Sequence, residues 1–301
     1  MRIGRHAIEL SHPDKVLFPD DGVTKADLVR YYVDVAEAMI PHLKGRPVMM
    51  ARYPEGIAKH GFYQKDIPDY FPDWVRRARV TKEGGTVTHV LCDDPATLAY
   101  LANQASITPH VWLSRADRPD NPDQMVFDLD PSGDDFGLVV TTARDLRGLL
   151  DDVGLPALVK ATGSRGLHVV VPLDRRAGFD TVRAFARDIA EVMARRDPDR
   201  VTVESRKAKR GDRVFVDVLR NAYAQTAVPP YAVRTLPGAP VATPLRWDEL
   251  DEQGAGPRRF HLTDLPERLA KTGDLWAGMS RRARSLAGAR RRLDALLSEA
   301  A

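Results

Sequence analysis

The sequence is poor in cysteine and in long apolar runs. Cys92 is the only cysteine, which excludes an internal disulfide framework and a zinc site built from several cysteines. No run of about 18 consecutive apolar residues occurs, so neither a membrane-spanning helix nor a membrane partner is expected. The first residues also lack the apolar core of a secretory signal. These absences favour a protein of the reducing cytoplasm.

Charge is plentiful but unevenly distributed. The net charge is only +3, with 29% charged residues. Acids cluster at residues 128–135, whereas bases cluster at 206–213 and 281–292. Separate acidic and basic regions suit a protein that binds both metal ions and phosphates, although each cluster could also be solvated surface. The arginines of a predicted C-terminal helix, about 279–299, are open to both interpretations: a solvated helix face or a DNA contact.

The pattern of elements predicts an α+β fold. Strands and helices are mixed without strict βαβ alternation. Thr24 begins a helix with a capping-box pattern, and Pro41 is expected to end it. The turn-rich stretch 118–123 is the best candidate for an internal boundary, which predicts an N-terminal module at 1–120 and a catalytic module at 121–301. The Pro-rich segment 228–244 is expected to cross the surface without regular structure.

The strand that reads QMVFDLDP carries two acids on one face. Side chains alternate along a strand, so Asp128 and Asp130 point the same way, with Cα atoms about 7 Å apart. Adjacent carboxylates repel each other unless a cation lies between them. Hard oxygen ligands of this kind favour magnesium or manganese, and two such ions about 4 Å apart could be bridged.

A third acid, Asp217, lies within the apolar run Val214–Leu219. A charge in such a strand is costly unless it is paired or bound to metal. Asp217 could therefore complete a two-metal site, or it could form a structural salt bridge with Arg213 or Arg220.

The segment 160–168, KATGSRGLH, is a glycine-containing turn between two predicted strands. Successive backbone N–H groups with Thr162, Arg165 and His168 would form an anion site. The Walker pattern is absent, so the chain is not a P-loop NTPase. His168 could equally be a hydrogen-bonded core histidine.

The order of these motifs resembles the archaeo-eukaryotic primase superfamily, and the longer sequence segments around them resemble the polymerase domain of bacterial DNA ligase D. The resemblance covers about residues 9–276. The sequence segments that carry the resemblance are DKVLFP, GFYQKDIP, LANQASITPHVW, FDLDPS, GSRGLHVVVPL, VFVDVLRNAYAQTAVPPYAVR and PGAPVATPLRWDEL. It implies a primase-like fold with mixed and antiparallel sheets that form a central cleft flanked by helices.

The resemblance also assigns roles to individual residues. Catalysis and metal binding, with two Mn²⁺ or Mg²⁺ ions, would belong to Asp128, Asp130 and Asp217. Nucleotide binding would belong to Phe62, Tyr63, His110, Lys160, Thr162, Arg165, His168 and Arg220. DNA binding would belong to Lys15, Lys25, Lys65, Arg210, Arg213 and Arg234.

The implied activity is addition of nucleotides, ribonucleotides preferred, to a primer 3′-hydroxyl at gaps or breaks during non-homologous end joining. The implied partners are NTP or dNTP, DNA ends or gapped DNA with a 5′-phosphate, a Ku-like end-bridging protein and a DNA ligase, which suggests association with the nucleoid. No ligase motif of the Lys-x-Asp-Gly kind and no phosphoesterase segment is found, so the chain is a free-standing polymerase or one domain of a larger enzyme.

Some positions depart from the family pattern. Tyr63 stands where a second Phe is frequent, Thr162 and Arg165 replace Ser and Lys, and His12 replaces Asn. These exchanges keep the chemical type, so they affect expected affinity more than expected activity. Two other functions remain open. The chain could be a non-catalytic DNA-end binding module. It could also be a phosphatase of the haloacid-dehalogenase type, because its segment FDLDPS is similar to the Asp-x-Asp strand of that class.

Overall fold

The computed structural model describes residues 1–82 and 84–299. The chain divides into two compact units. Unit 1 comprises residues 1–117, 226–243 and 258–275, and unit 2 comprises residues 118–225, 244–257 and 276–301. The first change of unit falls next to the turn-rich stretch 118–123. Because later segments return to unit 1, a single boundary does not describe the division.

The helices and strands follow one another as a mixture of both types. The strands are β1 (Arg2–Ile3), β2 (His6–Ala7), β3 (Val16–Phe18), β4 (Val23–Thr24), β5 (Pro47–Arg52), β6 (Phe62–Gln64), β7 (Arg77–Lys82), β8 (Gly85–Leu91), β9 (Ser106–Trp112), β10 (Gln124–Asp130), β11 (Leu158–Ala161), β12 (Leu167–Pro172), β13 (Val201–Thr202), β14 (Val214–Asp217), β15 (Thr226–Ala227) and β16 (Thr243–Leu245). The α-helices are α1 (Lys25–Asp34), α2 (Ala36–Leu43), α3 (Pro95–Asn103), α4 (Phe136–Asp152), α5 (Phe179–Arg196), α6 (Leu265–Thr272) and α7 (Leu286–Glu299). Short 3₁₀ turns lie at Lys207–Lys209, Leu219–Asn221, Asp248–Leu250 and Met279–Arg282. The predicted α+β class is confirmed.

Unit 1 is built on a sheet with strand order β15-β9-β5-β8-β7, in which β6 also pairs with β5. The predicted capping box begins α1: the Thr24 side chain accepts from Asp27 N–H, and the Asp27 side chain accepts from Thr24 N–H. The expected end at Pro41 is wrong. α1 stops at Asp34, and α2 continues through Pro41. Pro41 and Glu37, whose carbonyl loses its partner, are both exposed, so water can solvate that carbonyl.

The Pro-rich segment 228–244 contradicts the prediction of a surface path. Tyr231, Val233 and Ala242 are buried in the core of unit 1. The segment's backbone groups find partners there: Tyr231 O accepts from the Tyr31 hydroxyl at 2.8 Å, and Val233 N–H donates to the Tyr32 hydroxyl at 3.1 Å. A loop can be buried when side chains satisfy its polar groups in this way.

Unit 2 contains the second large sheet, with strand order β13-β14-β10-β12-β11-β16. The central strand β10 is antiparallel to both of its neighbours, β12 and β14. Helices α4 and α5 pack against this sheet. Alternation along β10 and β12 directs Phe127, Leu129 and Val169 to one face, where all are buried, and directs the acids to the other face.

At the C-terminus the helix begins later than predicted. α7 starts at Leu286, and the residues before it form a 3₁₀ turn and a short bridge to Leu173. Arg281, Arg282 and Arg284 therefore precede the helix instead of lying on its face. No helix in the described part of the chain combines the length and apolarity needed to cross a membrane.

Candidate active site

Four side chains form a row, called the acid row below, across the sheet of unit 2. In the strand register, Asp128 lies opposite Asp217 on one side and His168 on the other, and His168 lies opposite Lys160. Directly opposed residues share a face of a sheet, with Cβ atoms about 5 Å apart. Asp130 lies two residues after Asp128 and therefore on the same face. The three predicted acids thus come together on one surface of one unit.

This strand arrangement contradicts the phosphatase alternative. That class places its Asp-x-Asp strand in a Rossmann-like sheet, which is largely parallel. Here the strand with Asp128 and Asp130 is antiparallel to both neighbours. The haloacid-dehalogenase prediction is therefore wrong.

Asp128 is the most enclosed acid of the row. Its carboxylate lies 3.3 Å from His168 Nε2 and 3.5 Å from Arg220 Nε, with 10% of the side chain exposed. Burial alone would raise the pKa of Asp128, but His168, Arg220 and Lys160 outweigh burial and lower that pKa to about 2. Asp128 is therefore ionised at neutral pH.

The other two acids, Asp130 and Asp217, have raised pKa values. Burial, reinforced by the carboxylate of Asp128, raises the pKa of Asp130 to about 6, against the opposing charge of Arg165. Burial and Asp128 likewise raise the pKa of Asp217, although Asp217 accepts a 2.7 Å hydrogen bond from Leu219 N–H. Burial therefore disfavours the ionised forms of Asp130 and Asp217 more than the neighbouring cations favour them.

His168 and Lys160 form the other half of the row and are both buried. Burial, then the charge of Lys160, lowers the pKa of His168 to about 4, so its ring is neutral at pH 7. Contact through Nε2 orients the ring toward Asp128, and Nδ1 is buried without a hydrogen-bond partner among the described residues. The core-histidine alternative accounts for the burial of His168 but not for its contact with an acid of the row.

The predicted anion turn is closed by its own threonine. The Thr162 hydroxyl lies 3.0 Å from Gly166 O, and the N–H groups of Ser164 and Gly166 point to the same hydroxyl. Thr162 is buried, whereas Arg165 is exposed at the tip. The hydroxyl of Thr162 therefore holds the turn together, and Arg165 is the side chain of this turn that is open to a ligand.

Gly166 is required where the turn meets the acid strand. A Cβ placed on it would lie 1.9 Å from the backbone oxygen of Leu129, between Asp128 and Asp130. The glycine thus permits a backbone approach that no other residue allows.

The basic loop before β14 folds back on itself. Arg210 is buried, donates to the carbonyls of Glu204 and Ser205, and lies 3.8 Å over the ring of Phe215, which is opposite Asp130. Arg213 donates to the carbonyls of Lys209 and Arg210. Both predicted DNA-binding arginines therefore organise their own loop beside the acid row.

The donor chemistry of the row fits a divalent cation. The acids Asp128, Asp130 and Asp217 offer hard oxygen ligands on one face, and burial, with a further contribution from the charge of Asp128, raises the pKa values of Asp130 and Asp217. A bound cation would offset both effects. Their side chains are not already gathered, because the described residues contain no preformed group of three or more His, Cys, Asp or Glu side chains able to hold an ion. Asp128 instead contacts His168 and Arg220.

Unit 1 holds the predicted aromatic pair. Phe62 and Tyr63 on β6 are 48% and 63% exposed, which excludes ordinary core packing. The Tyr63 ring meets His110 edge-on with ring centroids 5.7 Å apart. Two exposed aromatic rings beside a histidine can stack on bases of any sequence.

Sequence reasoning missed Arg52, which supports this aromatic surface. Its guanidinium lies 5.6 Å from the Phe62 ring centroid and donates to Gln64 Oε1 at 2.7 Å, to the Tyr70 hydroxyl at 2.8 Å and to Gln104 O at 2.9 Å. The signal that could have found it is an arginine at the end of the otherwise apolar strand β5.

Two of the predicted DNA-binding residues, Lys15 and Lys25, form a basic cluster in unit 1. Lys25 is buried and donates to Ser11 O at 2.6 Å, and Lys15 pairs with Glu55 at 2.6 Å. Burial lowers the pKa of Lys25, and the nearby charges of Lys15 and Arg52 lower it further. Like charges held together in this way are relieved by an anion.

Two further predicted DNA-binding residues also belong to unit 1. Lys65 is exposed just after β6, and Arg234 is half-buried in the segment that returns to this unit, where its N–H donates to Pro240 O at 2.7 Å. The predicted site residues are therefore divided between the units. The acid row, its turn and its arginines lie in unit 2, whereas the aromatic pair, His110 and the basic cluster lie in unit 1.

Comparison with known proteins places these features in a family. Residues 24–276 match the family described as LigD, primase-polymerase domain. A multifunctional non-homologous end joining protein LigD of Mycolicibacterium smegmatis is 35% identical over 275 residues, which are 90% of this chain and 36% of that protein. A bifunctional LigD of Bacillus subtilis is 32% identical over 268 residues, 88% of this chain and 43% of that protein. The chain thus spans well under half the length of these relatives.

A solved structure supports the same assignment. The polymerase domain of Mycobacterium tuberculosis ligase D, in complex with DNA, superposes with a TM-score of 0.87 and 33% identity. The match covers 92% of this chain and 99% of that domain. The mixed fold, with its antiparallel sheets and flanking helices, is therefore that of the polymerase domain. This chain belongs to the LigD primase-polymerase domain family, a family of metal-dependent nucleotidyltransferases.

Proposed function

We propose that this chain adds nucleotides, with ribonucleotides preferred, to a primer 3′-hydroxyl at DNA gaps or double-strand breaks during non-homologous end joining. The observation that carries the proposal is the row in unit 2, in which Asp217 lies directly opposite Asp128 and Asp130 follows on the same face. Two strands from separate parts of the chain meet there to concentrate carboxylates, as nucleotidyl transfer requires.

The three carboxylates would hold two divalent cations, manganese or magnesium. When bound, such cations lower the pKa of a hydroxyl and neutralise charge on a triphosphate. His168 and Arg220 contact Asp128 from two sides and would fix the direction of its carboxylate. Removal of either partner would leave this ligand free to rotate.

The remaining residues of unit 2 would bind the anionic part of the nucleotide. Arg165 is exposed at the tip of the turn, and Arg220 remains 42% exposed beside Asp128. Guanidinium groups bind phosphate oxygens in a bidentate manner. Neutralisation of the leaving pyrophosphate by these arginines would stabilise the transition state of the transfer.

Unit 1 would recognise bases and DNA ends. Phe62 and Tyr63 would stack on bases, with His110 beside them, and Lys15 and Lys25 would bind a 5′-phosphate. End recognition of this kind would let the chain act with a Ku-like end-bridging protein and a DNA ligase in non-homologous end joining, the process that the names of its longer relatives give.

Primer extension on gapped DNA tests the proposal. The wild type is expected to add nucleotides from ATP or UTP more readily than from dATP or dTTP in the presence of manganese. Asp128→Ala should abolish addition, whereas Asp212→Ala, on an exposed turn of the same unit, should not. Full activity in the Asp128 variant, or a wild type that binds DNA without extending it, would contradict the mechanism.

A further inference from the structure

The segment that follows the family match is unusually rich in arginine. Residues 277–293 contain six arginines and no lysine, aspartate or glutamate. The acid row, the turn and the basic loop do not involve these arginines. Such a charge density on a protein surface is unfavourable unless a partner of opposite charge neutralises it.

The structure places four of these six arginines in two different environments. Arg290 pairs with Asp188 at 2.6 Å, and Arg292 donates to Val153 O at 3.0 Å, so both serve to dock α7. Arg281 and Arg282 are exposed on the 3₁₀ turn. Among the side chains that the structure describes, no ion pair joins a carboxylate to either guanidinium.

The segment that carries Arg281 and Arg282 is attached to β12, the strand that carries His168. Arg284 N–H donates to Pro172 O at 3.1 Å, and Asp174 N–H donates to Arg284 O at 3.2 Å, at the far end of β12. Pro172 lies four positions after His168, which is about 13 Å along a strand. The 3₁₀ turn that carries Arg281 and Arg282 contacts β12, and the chain directly after it pairs with the end of β12 that is farther from His168.

We propose that Arg281 and Arg282 bind the phosphate backbone of the DNA duplex that carries the primer, several base pairs from its 3′ end. The inference rests on the proposed function, because it requires a duplex end at the acid row. A spacing of about 13 Å corresponds to about four base pairs of B-form DNA. Arginine, with its planar fork of donors, suits phosphate contacts better than lysine does.

The test compares two double variants that remove the same charge. Arg281→Gln/Arg282→Gln removes the proposed contact. Arg195→Gln/Arg196→Gln removes two exposed arginines at the end of α5. Binding is measured by fluorescence anisotropy on primer-template duplexes of about 4 and about 12 base pairs over a range of salt, with the whole chain and with melting temperature as a check of folding.

The wild type should bind the longer duplex more tightly. The Arg281→Gln/Arg282→Gln variant should lose about tenfold in affinity for the longer duplex and little for the shorter one, and its salt slope should fall by about 2, since each lost phosphate contact removes about 0.9. The Arg195→Gln/Arg196→Gln variant should retain the length preference.

Equal losses in both variants, or unchanged binding in the Arg281→Gln/Arg282→Gln variant, would overturn the inference and assign the surface to another partner such as an acidic protein. Primer extension by the wild type is measured in parallel. If the wild type extends the primer but binds the two duplexes with equal affinity, only this inference is overturned. If the wild type does not extend the primer, the proposed function is overturned as well.

Discussion

At the scale of single residues, Lys25 illustrates how burial marks a charged group for binding. Its ammonium is held by Ser11, and its neighbours Lys15 and Arg52 repel it. A surface lysine would keep its hydration and its ordinary pKa, and would give no reason to expect a ligand. A buried lysine with a lowered pKa favours an anion at this position.

We expect Lys15→Gln/Lys25→Gln to reduce the preference for a gap with a 5′-phosphate over one with a 5′-hydroxyl. Loss of two charge-assisted hydrogen bonds should weaken binding of the phosphorylated gap by more than about tenfold. Dissociation constants on the two substrates measure the effect. Lys44→Gln, an exposed lysine of the same unit, serves as control; a wild type that binds both gaps equally would refute end recognition.

Arg52 is the residue-scale feature that positions the aromatic surface. It reaches Phe62, Gln64 and Tyr70 at once, so its loss should free the rings without removing them. We expect Arg52→Gln to raise KM for the nucleotide roughly three- to tenfold, because base stacking is weakened, with a smaller change in kcat. Steady-state kinetics beside Arg79→Gln, an exposed arginine on β7, provide the test; equal KM values in the two variants would deny Arg52 this role.

At the scale of elements, the turn between β11 and β12 fits against β10. Thr162 closes the turn from within, and Gly166 lets it approach the backbone of Leu129. The conformation of this turn therefore determines where the strand ends with Asp130. The strand that carries Asp128 and Asp130 and the turn that carries Arg165 are coupled here through a backbone contact.

We expect Gly166→Ala to lower nucleotide addition by more than tenfold and to lower the melting temperature. Its Cβ would overlap Leu129 O, and only movement of the backbone could relieve a 1.9 Å approach. Gly148→Ala is the matched control, since nothing lies near its Cβ within α4 and alanine stabilises a helix by about 0.5–1 kcal/mol. Normal activity in Gly166→Ala would show that the turn tolerates displacement.

At the scale of the whole chain, unit 1 is completed by segments that come late in the sequence. Asp274 accepts a 2.7 Å hydrogen bond from the Tyr231 hydroxyl and lies 3.0 Å from His42 Nε2. One carboxylate thus joins α2 to both returning segments. Burial, followed by the charge of Asp274, raises the pKa of Tyr231 and keeps its hydroxyl a donor.

We expect Asp274→Ala to lower the free energy of unfolding by about 2–4 kcal/mol, because it leaves two buried polar groups without their partner. Thermal or urea denaturation measures the change. Glu267→Ala removes an exposed acid of the same segment, which pairs with the exposed Lys271, and should have little effect. Equal melting temperatures for the two variants would show that Asp274 does not hold these segments.

Local patterns in the sequence were sufficient to select the three acids that the strand register places on one face. Alternation along a strand places Asp128 and Asp130 on one face. The charge of Asp217 inside an apolar run is costly unless it is paired or bound to metal. Both inferences depend only on neighbours in the chain. For the same reason the capping box at Thr24 and the class of the fold could be predicted from the sequence.

Only the tertiary structure decided which distant residues became neighbours. The register that sets Asp128 between Asp217 and His168, the burial of Lys160 and the burial of Tyr231 in the Pro-rich segment all depend on pairing between strands and loops far apart in sequence. Arg52 likewise gained its role from contacts with three other segments. Such pairings are selected by the packing of the whole chain, because the free energy of burial is summed over many contacts that no short stretch contains.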